Sequence, residues 1–432
     1  MALIVQKFGG SSLANIVRIK KVAQTIAQQK KLGDQIVVVV SAMGDETDQL
    51  LNLAYEISKT PTKRELDMLL TAGERKSQAL LSIALQELGC PATSFTGSQI
   101  GIITDENHTD ARIMRIKGFR LQEALNCDKI PIVAGFQGVS IKREITTLGR
   151  GGSDTSAVAL AVRLGADCCE LYKDVPGIFT EDPKEFPGVK RVPEITYEEM
   201  SELATAGSKV LHPRACALAA KYNLRLVIKP APHLTQKKPE GTIVKPPKSD
   251  NITTKEHRLL CPMPRRTKNL EKPVVRAITH SRNLNRFTLL AVPQTKGLAQ
   301  AVSQLAQAKI PFVFFAHGVP IQHHFDLSFI IPAQAQRKAK AIFAKIKTKL
   351  KAKGLLIQKN LGSVSLVGAG IGSDSEIIAV LFKTLQKIGV HIDAFSTAES
   401  KITCYFHQKH LKVAIQNLLD RFHLYEKPRK TK

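Results

Sequence analysis

Short apolar runs alternate with helix-like patterns through the first half of the chain. Buried strands are predicted at residues 3–5, 36–40, 130–134 and 169–172. This alternation predicts a mainly parallel sheet covered by helices on both faces. Ligands bind such sheets beyond the carboxyl ends of their strands. Lys7, Ser41 and Gly135 each fall at a strand end, so we expect them to converge although they are distant in sequence.

The second half of the chain contains an internal repeat. A Pro-, Lys- and Ser-rich stretch at residues 230–250 precedes it and marks a domain boundary. Strand-like residues 287–292 and 364–367 are each followed by glycine and a helix, which ends near a matching phrase at 308–312 or 388–392. The expected division is a first domain at 1–244, a basic linker at 245–275, two repeats at 276–360 and 361–425, and a basic tail at 426–432.

Composition agrees with a multidomain cytoplasmic protein. The 432 residues predict roughly three domains, and a hydrophobic content of 43% can fill sizeable cores. The chain shows no N-terminal apolar signal and no apolar run of membrane-spanning length. Its seven cysteines are scattered without a C-x-x-C pair, so we expect reduced thiols and neither a metal site nor a redox couple built from them.

Charge is divided unevenly along the chain. Residues 1–244 carry 31 Lys and Arg against 27 Asp and Glu, whereas residues 245–432 carry 32 against 10. Such an excess attracts anions, and a regulator that binds nucleic acid through the basic half is one alternative. The lysines of residues 337–353, however, flank an apolar helical stripe of Ala339, Ile342, Phe343, Ile346 and Leu350. We therefore favour a solvated lysine face, and nucleic acid is not an expected partner.

The run at residues 147–156, TLGRGGSDTS, combines glycines, a cation, hydroxyls and a carboxylate. Glycines let backbone N–H groups approach an anion, Arg150 can clamp a carboxylate or phosphate, and Asp154 can hold a metal or orient a lysine. Residues 157–164 are predicted to continue as a helix whose N-terminus favours negative charge. A structural tight turn is the alternative interpretation of this run alone.

A second candidate segment follows the first strand. Lys7, Phe8, Gly9, Gly10 and Ser11 place a lysine before two glycines and a hydroxyl, which suits a polyphosphate. The segment is not a Walker loop, because the lysine precedes the glycines. Taken alone, the segment favours a surface strand end followed by a flexible turn.

Together with further segments, these two motifs resemble the aspartate kinases of the amino-acid kinase family. The matching segments occur in family order, at residues 37–44, 47–48, 67–74, 95–105, 174–179 and 206–214. The resemblance covers most of residues 1–230, and the repeat resembles the paired ACT domains of the same family. It implies an α/β fold with an amino-acid-kinase-like, mainly parallel sheet sandwiched by helices. Two α+β, ferredoxin-like ACT domains are expected to follow.

The resemblance implies transfer of the γ-phosphoryl group of ATP, with Mg²⁺, to the β-carboxylate of L-aspartate. Lys7 and Asp154 would be catalytic, the lysine on the transferring group and the carboxylate orienting it. Arg150 and Glu74 suit the two ends of aspartate, because the guanidinium pairs with a carboxylate and the acid accepts from the ammonium group. The remaining aspartate-binding positions implied are Ser41, Thr47, Gly152 and Ser153.

Nucleotide-binding positions are implied in the same way. They are Lys7, Phe8, Gly9, Gly10, Ser11, Lys173, Asp174, Phe179, Lys184, Lys209 and Val210. Family members commonly carry Thr or Ser where this chain has Lys173, Tyr at Phe179 and Arg at Lys184. These departures are expected to alter nucleotide contacts and leave Lys7 and Asp154 in place.

The repeats depart further from the family. Residues 294–297, QTKG, replace an Asp-x-Pro-Gly approach to the effector helix, and Pro311 and Val313 stand where Asn and Asp are usual. His317 and Gly318 replace an amide-bearing pair. The second repeat keeps residues that resemble the family's later strand, namely Asp393, Ser396, Thr397, Glu399 and Lys401. We therefore expect a weakened amino-acid effector site, poor inhibition by lysine or threonine, and repeats that serve mainly for homodimer or higher homo-oligomer formation.

Two other functions were weighed against aspartate phosphorylation. A sister kinase of another carboxylate, such as acetylglutamate, would share the fold, but Arg150 in its motif and the duplicated second half favour aspartate. A nonenzymatic regulator would have no chemical reason to hold Lys7, Glu74, Arg150 and Asp154 together. No downstream dehydrogenase domain is expected.

Overall fold

The computed structural model describes residues 2–206, 208, 210–234, 241–246, 275–293, 297–368 and 370–425, except the side chain of residue 373. The chain divides into two compact units. The first comprises Met1–Phe179 and Arg191–Lys268, and the second Thr180–Lys190 and Asn269–Lys432. The chain therefore passes from the first unit to the second at Thr180 and continues in the first unit from Arg191.

The first unit is built from alternating strands and helices. Its strands are β1 Leu3–Phe8, β2 Gln35–Val40, β3 Ala92–Phe95, β4 Ile102–Thr104, β5 Ile113–Ile116, β6 Ile130–Ala134, β7 Gln137–Ser140, β8 Ile145–Thr147, β9 Cys168–Lys173, β10 Ile178–Phe179, β11 Arg191–Val192, β12 Glu194–Thr196, β13 Leu226–Pro230 and β14 Thr242–Lys245. Its helices are α1 Ile16–Lys31, α2 Glu46–Ile57, α3 Lys63–Glu87, α4 Phe119–Asn126, α5 Gly152–Leu164, α6 Tyr197–Ala206 and α7 Pro213–Lys221, with short 3₁₀ turns at Gly10–Leu13 and Pro232–Leu234.

The main sheet has the order β12-β14-β13-β9-β1-β2-β6-β3 and is parallel except at the β13–β14 pair. A smaller sheet follows the order β5-β4-β7-β8. The four strands predicted from apolar runs are therefore confirmed. Because β1, β2 and β6 are parallel neighbours, Lys7, Ser41 and Gly135 fall at the same edge of the sheet, as predicted.

Helix α5 begins earlier than its apolar run suggests. It starts at Gly152, so Ser153 and Asp154 lie in its first turn instead of in the preceding loop. Gly151, at the N-cap, has a φ of 69°, a left-handed conformation that favours glycine. The polar motif is thereby placed at the positive end of the helix dipole.

The second unit contains one six-stranded antiparallel sheet. Its elements are β15 Ala277–Pro293, α8 Gly297–Gln307, β16 Phe314–His317, β17 His324–Pro332, α9 Gln336–Leu350, β18 Gly354–Val367, α10 Ser375–Lys387, β19 Ala394–Ala398, β20 Lys401–His407 and α11 Leu411–Arg421, with 3₁₀ turns at Ala333–Ala335, Ile371–Ser373 and Gln408–His410. The strand order is β16-β17-β15-β18-β20-β19.

The internal repeat is visible as two halves of this sheet. Strands β15 and β18 run through both halves, and each contains one asparagine in the left-handed region, Asn283 at φ 57° and Asn360 at φ 62°. The helices α8 and α10 also end alike: the Ile310 N–H donates to Leu305 O, and the Val390 N–H donates to Leu385 O, both at 3.0 Å. The expected boundary at 360/361 lies inside β18.

The basic helix predicted at residues 337–353 is α9. Its apolar face packs into the core, where Phe287 and Phe343 stack with ring centroids 4.8 Å apart. Ala339, Ile346 and Leu350 are buried on the same face. The amphipathic interpretation of its lysines is confirmed.

Candidate functional site

A cavity of about 1190 Å³ opens in the first unit where the sheet edge meets the N-terminus of α5. Nine of the residues that the sequence singled out line it: Lys7, Ser41, Thr47, Glu74, Arg150, Gly152, Ser153, Asp154 and Lys173. They come from β1, the loop after β2, the start of α2, α3, the start of α5 and the end of β9. The fold thus brings together in one cavity side chains that are spread over more than 160 residues of the sequence.

Asp154 is the electrostatic centre of the cavity. Its Oδ2 is 2.6 Å from Lys173 Nζ and its Oδ1 is 2.9 Å from Lys7 Nζ. The Lys7 contact has the distance of an ion pair, but Oδ1 has no aligned hydrogen bond. Although burial alone would raise the pKa of Asp154, the two ammonium groups hold it well below the usual range. Asp154 is therefore ionised throughout the neutral range.

Glu74 is a second buried carboxyl group that lines the cavity. It is 3% exposed, and its Oε1 accepts from the Ala42 N–H at 3.2 Å. Its Oε2 has no hydrogen-bond partner among the described residues. Burial raises the pKa of Glu74 to about 7. A cationic ligand group in the cavity would supply the missing partner and favour the ionised form.

Arg150 presents an exposed guanidinium to the cavity and has no ion-pair partner among the described residues. It lies between Gly149 and Gly151, which both have left-handed φ angles. A Cβ added at Gly151 would lie 2.3 Å from His212 Cγ. The loop therefore needs glycine both for its backbone conformation and for its close approach to His212.

A buried carboxylate, that of Asp67, anchors the glycine loop at residues 149–152 through hydrogen bonds. Asp67, on α3, is fully buried and accepts from Thr147 Oγ1 at 2.5 Å and from the Thr109 N–H at 3.1 Å. Its Oδ2 is 2.6 Å from His108 Nδ1. Since Thr147 ends β8 immediately before the glycine loop, Asp67 fixes the start of that loop. Sequence reasoning quoted its motif without assigning Asp67 a role.

Arg214 holds the same loop from α7. Its guanidinium donates to Leu148 O at 2.7 Å and to Ala111 O at 2.9 Å. His212 caps α7 and lines the cavity, and burial lowers its pKa, which favours the neutral imidazole. The sequence motif at residues 206–214 was matched to the family without a role for His212, so its position in the cavity was not predicted. The segment at residues 55–63, which also lines the cavity, carried no signal in the sequence.

The segment after Lys7 contributes mainly through its backbone. The Phe8 side chain lies in the core, stacked on Tyr172 at a centroid distance of 4.4 Å. A Cβ added at Gly9 would lie 3.5 Å from Lys7 Nζ, and one at Gly10 would lie 2.7 Å from Gly44 O. Ser11 is exposed. Gly9 thus lies beside the lysine, while Gly10 permits close packing of two loops.

The remaining nucleotide positions that the structure describes do not line the cavity. Asp174 is exposed after β9, Phe179 is half-buried in β10, and Val210 is half-buried before α7. Lys184 lies in the Thr180–Lys190 segment of the second unit, where its N–H donates to Asp182 Oδ1 at 2.9 Å. Lys209 lies outside the described residues.

The metal expected from the sequence resemblance was compared with the donors present. Among the described residues, no group of three or more His, Cys, Asp or Glu side chains is placed to hold a metal ion. Asp154 is the carboxylate nearest Lys7, and its two oxygens already face lysine ammonium groups. These donors do not form a resident magnesium site.

No helix in the described parts of the chain is long and apolar enough to span a bilayer.

The positions expected to weaken effector binding lie in the second unit. Pro311 and Val313 are exposed before β16, His317 ends that strand and is exposed, and residues 294–296 are outside the described range. Asp393, retained in the second repeat, is already engaged: its Oδ1 accepts from Gln358 Nε2 at 2.8 Å, and its backbone carbonyl accepts from Arg286.

Comparison with known sequences places both halves of the chain in families. A sequence model of the amino acid kinase family matches residues 2–230. An ACT domain model matches residues 364–422, within the second half of the repeat.

Similarity to known proteins extends over nearly the full chain. An aspartate kinase of Stutzerimonas stutzeri is 38% identical over 98% of each chain. An aspartokinase of Corynebacterium glutamicum is 39% identical, over 98% of this chain and 97% of the relative. The crystal structure of Escherichia coli aspartokinase III in complex with aspartate and ADP is 21% identical and has a TM-score of 0.77 over 97% of this chain and 99% of that one, which supports the fold.

Proposed function

The chain belongs to the aspartokinases of the amino acid kinase family, and we propose that the cavity around Asp154 transfers the γ-phosphoryl group of ATP to the β-carboxylate of L-aspartate. The observation that carries the proposal is the convergence of Lys7, Asp154, Glu74 and Arg150 on one cavity. The product is 4-phospho-L-aspartate, a precursor for biosynthesis of lysine, threonine and methionine.

The substrate end of the cavity fits an amino acid. Arg150 has no ion-pair partner within the described parts of the chain and offers its guanidinium to a carboxylate, and Glu74 Oε2, which no described residue contacts by a hydrogen bond, offers an acceptor to an ammonium group. Ser41, Thr47 and Ser153 supply hydroxyls to the same cavity, and Gly152 lies in its lining at the start of α5. Opposite charges at two positions match the opposite charges of an α-amino acid. A ligand without an ammonium group would leave the buried Glu74 without a partner.

The phosphoryl end requires positioning and charge neutralisation. An ionised carboxylate is already a nucleophile, so no general base is needed. Lys7 lies on the transferring group, Asp154 orients Lys7, and the backbone at Gly9, Gly10 and Ser11 borders the phosphates. The α5 N-terminus adds favourable potential for an anion. Phe8, Lys173, Asp174, Phe179, Lys184, Lys209 and Val210 stay predictions for nucleotide contact.

Magnesium enters as part of the Mg-ATP substrate in this proposal. Phosphate oxygens and water supply most ligands of such ions. The ion supplies charge neutralisation of the polyphosphate when it is bound. The protein's own contribution at this end comes from Lys7, held by Asp154, and from the N-terminus of α5.

The second unit is proposed to assemble subunits into a homodimer or higher oligomer. Strands β16 and β19 lie at the two edges of its sheet. Exposed apolar side chains lie next to or on these strands, namely Phe312, Val313 and Phe395.

The altered residues near β16 favour weak inhibition by lysine or threonine. Titrating each amino acid, alone and together, tests this: complete inhibition at submillimolar concentration would contradict it. Light scattering measures the subunit number. The cytoplasmic location expected from the sequence stays a prediction.

The decisive assay measures ADP release from Mg-ATP with and without L-aspartate. We expect aspartate-dependent release, and its loss in Lys7→Ala and Asp154→Ala. N-acetyl-L-glutamate, which lacks an ammonium group, is the matched alternative substrate. Release that responds to N-acetylglutamate and not to aspartate would replace this proposal with a sister kinase.

A further inference from the structure

Lys173 creates an imbalance of charge beside the cavity. The carboxylate of Asp154 carries one negative charge, whereas the ammonium groups of Lys7 and Lys173 carry two positive charges at 2.9 and 2.6 Å. All three side chains are nearly buried, with exposures of 9%, 14% and 6% for Lys7, Lys173 and Asp154. These three side chains together therefore carry one excess positive charge.

Two nearly buried ammonium groups that share one carboxylate favour a further anionic partner, because burying a cation is costly unless it is paired. Burial lowers the pKa of Lys173, the nearby Lys7 lowers it further, and Asp154 with the exposed Asp174 opposes the change. Both lysines line the cavity, and the α5 N-terminus also faces it. An anion bound in the cavity would balance the cluster.

The strands fix where that anion would lie. Strands β1 and β9 are parallel neighbours, with Lys7 opposite Leu171 and Phe8 opposite Tyr172. Lys173 is the last residue of β9, one step beyond these pairs. The two ammonium groups consequently approach Asp154 from adjacent strand ends and leave their remaining N–H donors for a ligand with several oxygens.

We propose that Lys173 is a second catalytic cation, which binds the oxygens of the transferring γ-phosphoryl group together with Lys7. This inference rests on the proposed function. In the step, an aspartate carboxylate oxygen forms a bond to phosphorus, the bond from phosphorus to the ADP oxygen breaks, and its electron pair stays on ADP. Lys173 transfers no proton; it neutralises charge on the moving group.

The residue type matters for this role. A Ser or Thr hydroxyl at the same place would donate one hydrogen bond and carry no charge. Lysine adds a full positive charge in a site largely shielded from water, where electrostatic interactions are strong. Removing Lys173 should therefore weaken the transition state more than bound ADP, which lacks the γ-phosphoryl group.

The test compares Lys173→Ser and Lys173→Arg with the wild type. We measure kcat, and by calorimetry the Kd of ADP alone and of ADP with aluminium tetrafluoride, a probe that occupies the place of the transferring group. For Lys173→Ser we expect kcat to fall about 100-fold and the affinity for ADP with aluminium tetrafluoride to fall by a similar factor, while the Kd of ADP changes less than threefold. Lys173→Arg should recover part of both losses.

Lys229→Ser is the matched control. Lys229 lies on the neighbouring strand β13 and pairs with the buried Glu170, but it does not line the cavity. It should keep kcat within threefold. Equal losses of kcat in both serine variants would show that each ion pair matters only for structure. Equal losses of affinity for ADP with and without aluminium tetrafluoride would make Lys173 a nucleotide ligand only. Either result overturns the proposal.

The proposed function fails separately. Wild-type protein that releases no ADP with aspartate would refute it. The fluoride titration without aspartate still measures the role of Lys173, and an unchanged affinity in Lys173→Ser there would overturn the inference.

Discussion

The first unit contains a nearly buried cluster of charged side chains, whereas the most basic helix of the second unit carries its charges outside the core. The large net positive charge nevertheless belongs to the second half of the chain. The nearly balanced first half encloses Lys7, Asp154 and Lys173 beside a cavity. In the strongly basic second half, α9 carries six Lys and Arg and no Asp or Glu, and none of the six has an ion-pair partner in the described parts of the chain. The position of charge, and not its amount, therefore marks the candidate chemistry.

Asp154→Asn should produce the largest effect, because it leaves two nearly buried ammonium groups without their carboxylate. We expect kcat to fall on the order of 1000-fold and the free energy of unfolding to fall by about 3–5 kcal/mol. Kinetics and chemical denaturation measure the two effects. Glu106→Gln, which breaks the exposed pair with Lys142, is the control and should change neither. A fully active Asn variant would end the comparison.

Phe343→Ala tests the buried face of α9, where apolar packing, and not an ion pair, is expected to stabilise the fold. Phe343 is fully buried between Phe287 and Phe329. Truncation should lower the free energy of unfolding by about 3–5 kcal/mol. Denaturant titration followed by circular dichroism checks this. A loss below about 1 kcal/mol would mean that the helix is not anchored by this face.

Glu74 gives the first unit a pH dependence. Burial raises its pKa to about 7. Since aspartate binding needs the ionised form, kcat/KM for aspartate should fall about tenfold per pH unit below that value. Glu74→Gln should raise the KM for aspartate and lose this dependence. A wild-type profile flat from pH 5.5 to 8 would contradict the assignment.

Stability should respond to Glu74 with the opposite sign. A carboxyl group whose folded pKa is raised binds protons more tightly in the folded state, so its ionisation costs stability as the pH rises above its unfolded pKa. That cost is complete above about pH 7. Glu74→Gln should therefore raise Tm at pH 8 and leave it nearly unchanged at pH 4. A variant that is both inactive and destabilised at pH 8 would point to a structural role.

Gly151→Ala isolates steric fit from charge. The change adds about 1–2 kcal/mol of backbone strain at φ 69° and a collision with His212. We expect kcat to fall at least tenfold through displacement of Arg150. Gly89→Ala is the matched control, because Gly89 has φ 73° with open space around its Cβ position. Equal kinetic losses in the two variants would remove the collision from the account.

Strand ends and motifs were predictable from sequence because each depends on local pattern. The run at residues 130–134 is apolar throughout, and a parallel sheet explains why Lys7 and Ser41 meet. The support provided by Asp67 was not predictable, since its partners Thr109 and Thr147 lie 42 and 80 residues away. Such contacts depend on tertiary packing and leave no periodic signal. The continuity of β15 and β18 through both repeats was missed for the same reason.

The smallest effect is expected from the lysines of α9. Replacing Lys338, Lys345 and Lys349 together with Gln removes three exposed charges that contact no carboxylate in the described residues. Tm and kcat should stay unchanged, because solvated charges contribute little to folding. Duplex DNA should bind weakly at 50 mM salt and lose that binding at 150 mM, because only counterion release favours it. The opposite outcome is that the wild type still binds DNA at 150 mM salt and the triple variant does not. It would show that exposed charge in the second unit has a binding role. The contrast between the two units would then lie in the kind of ligand that each attracts.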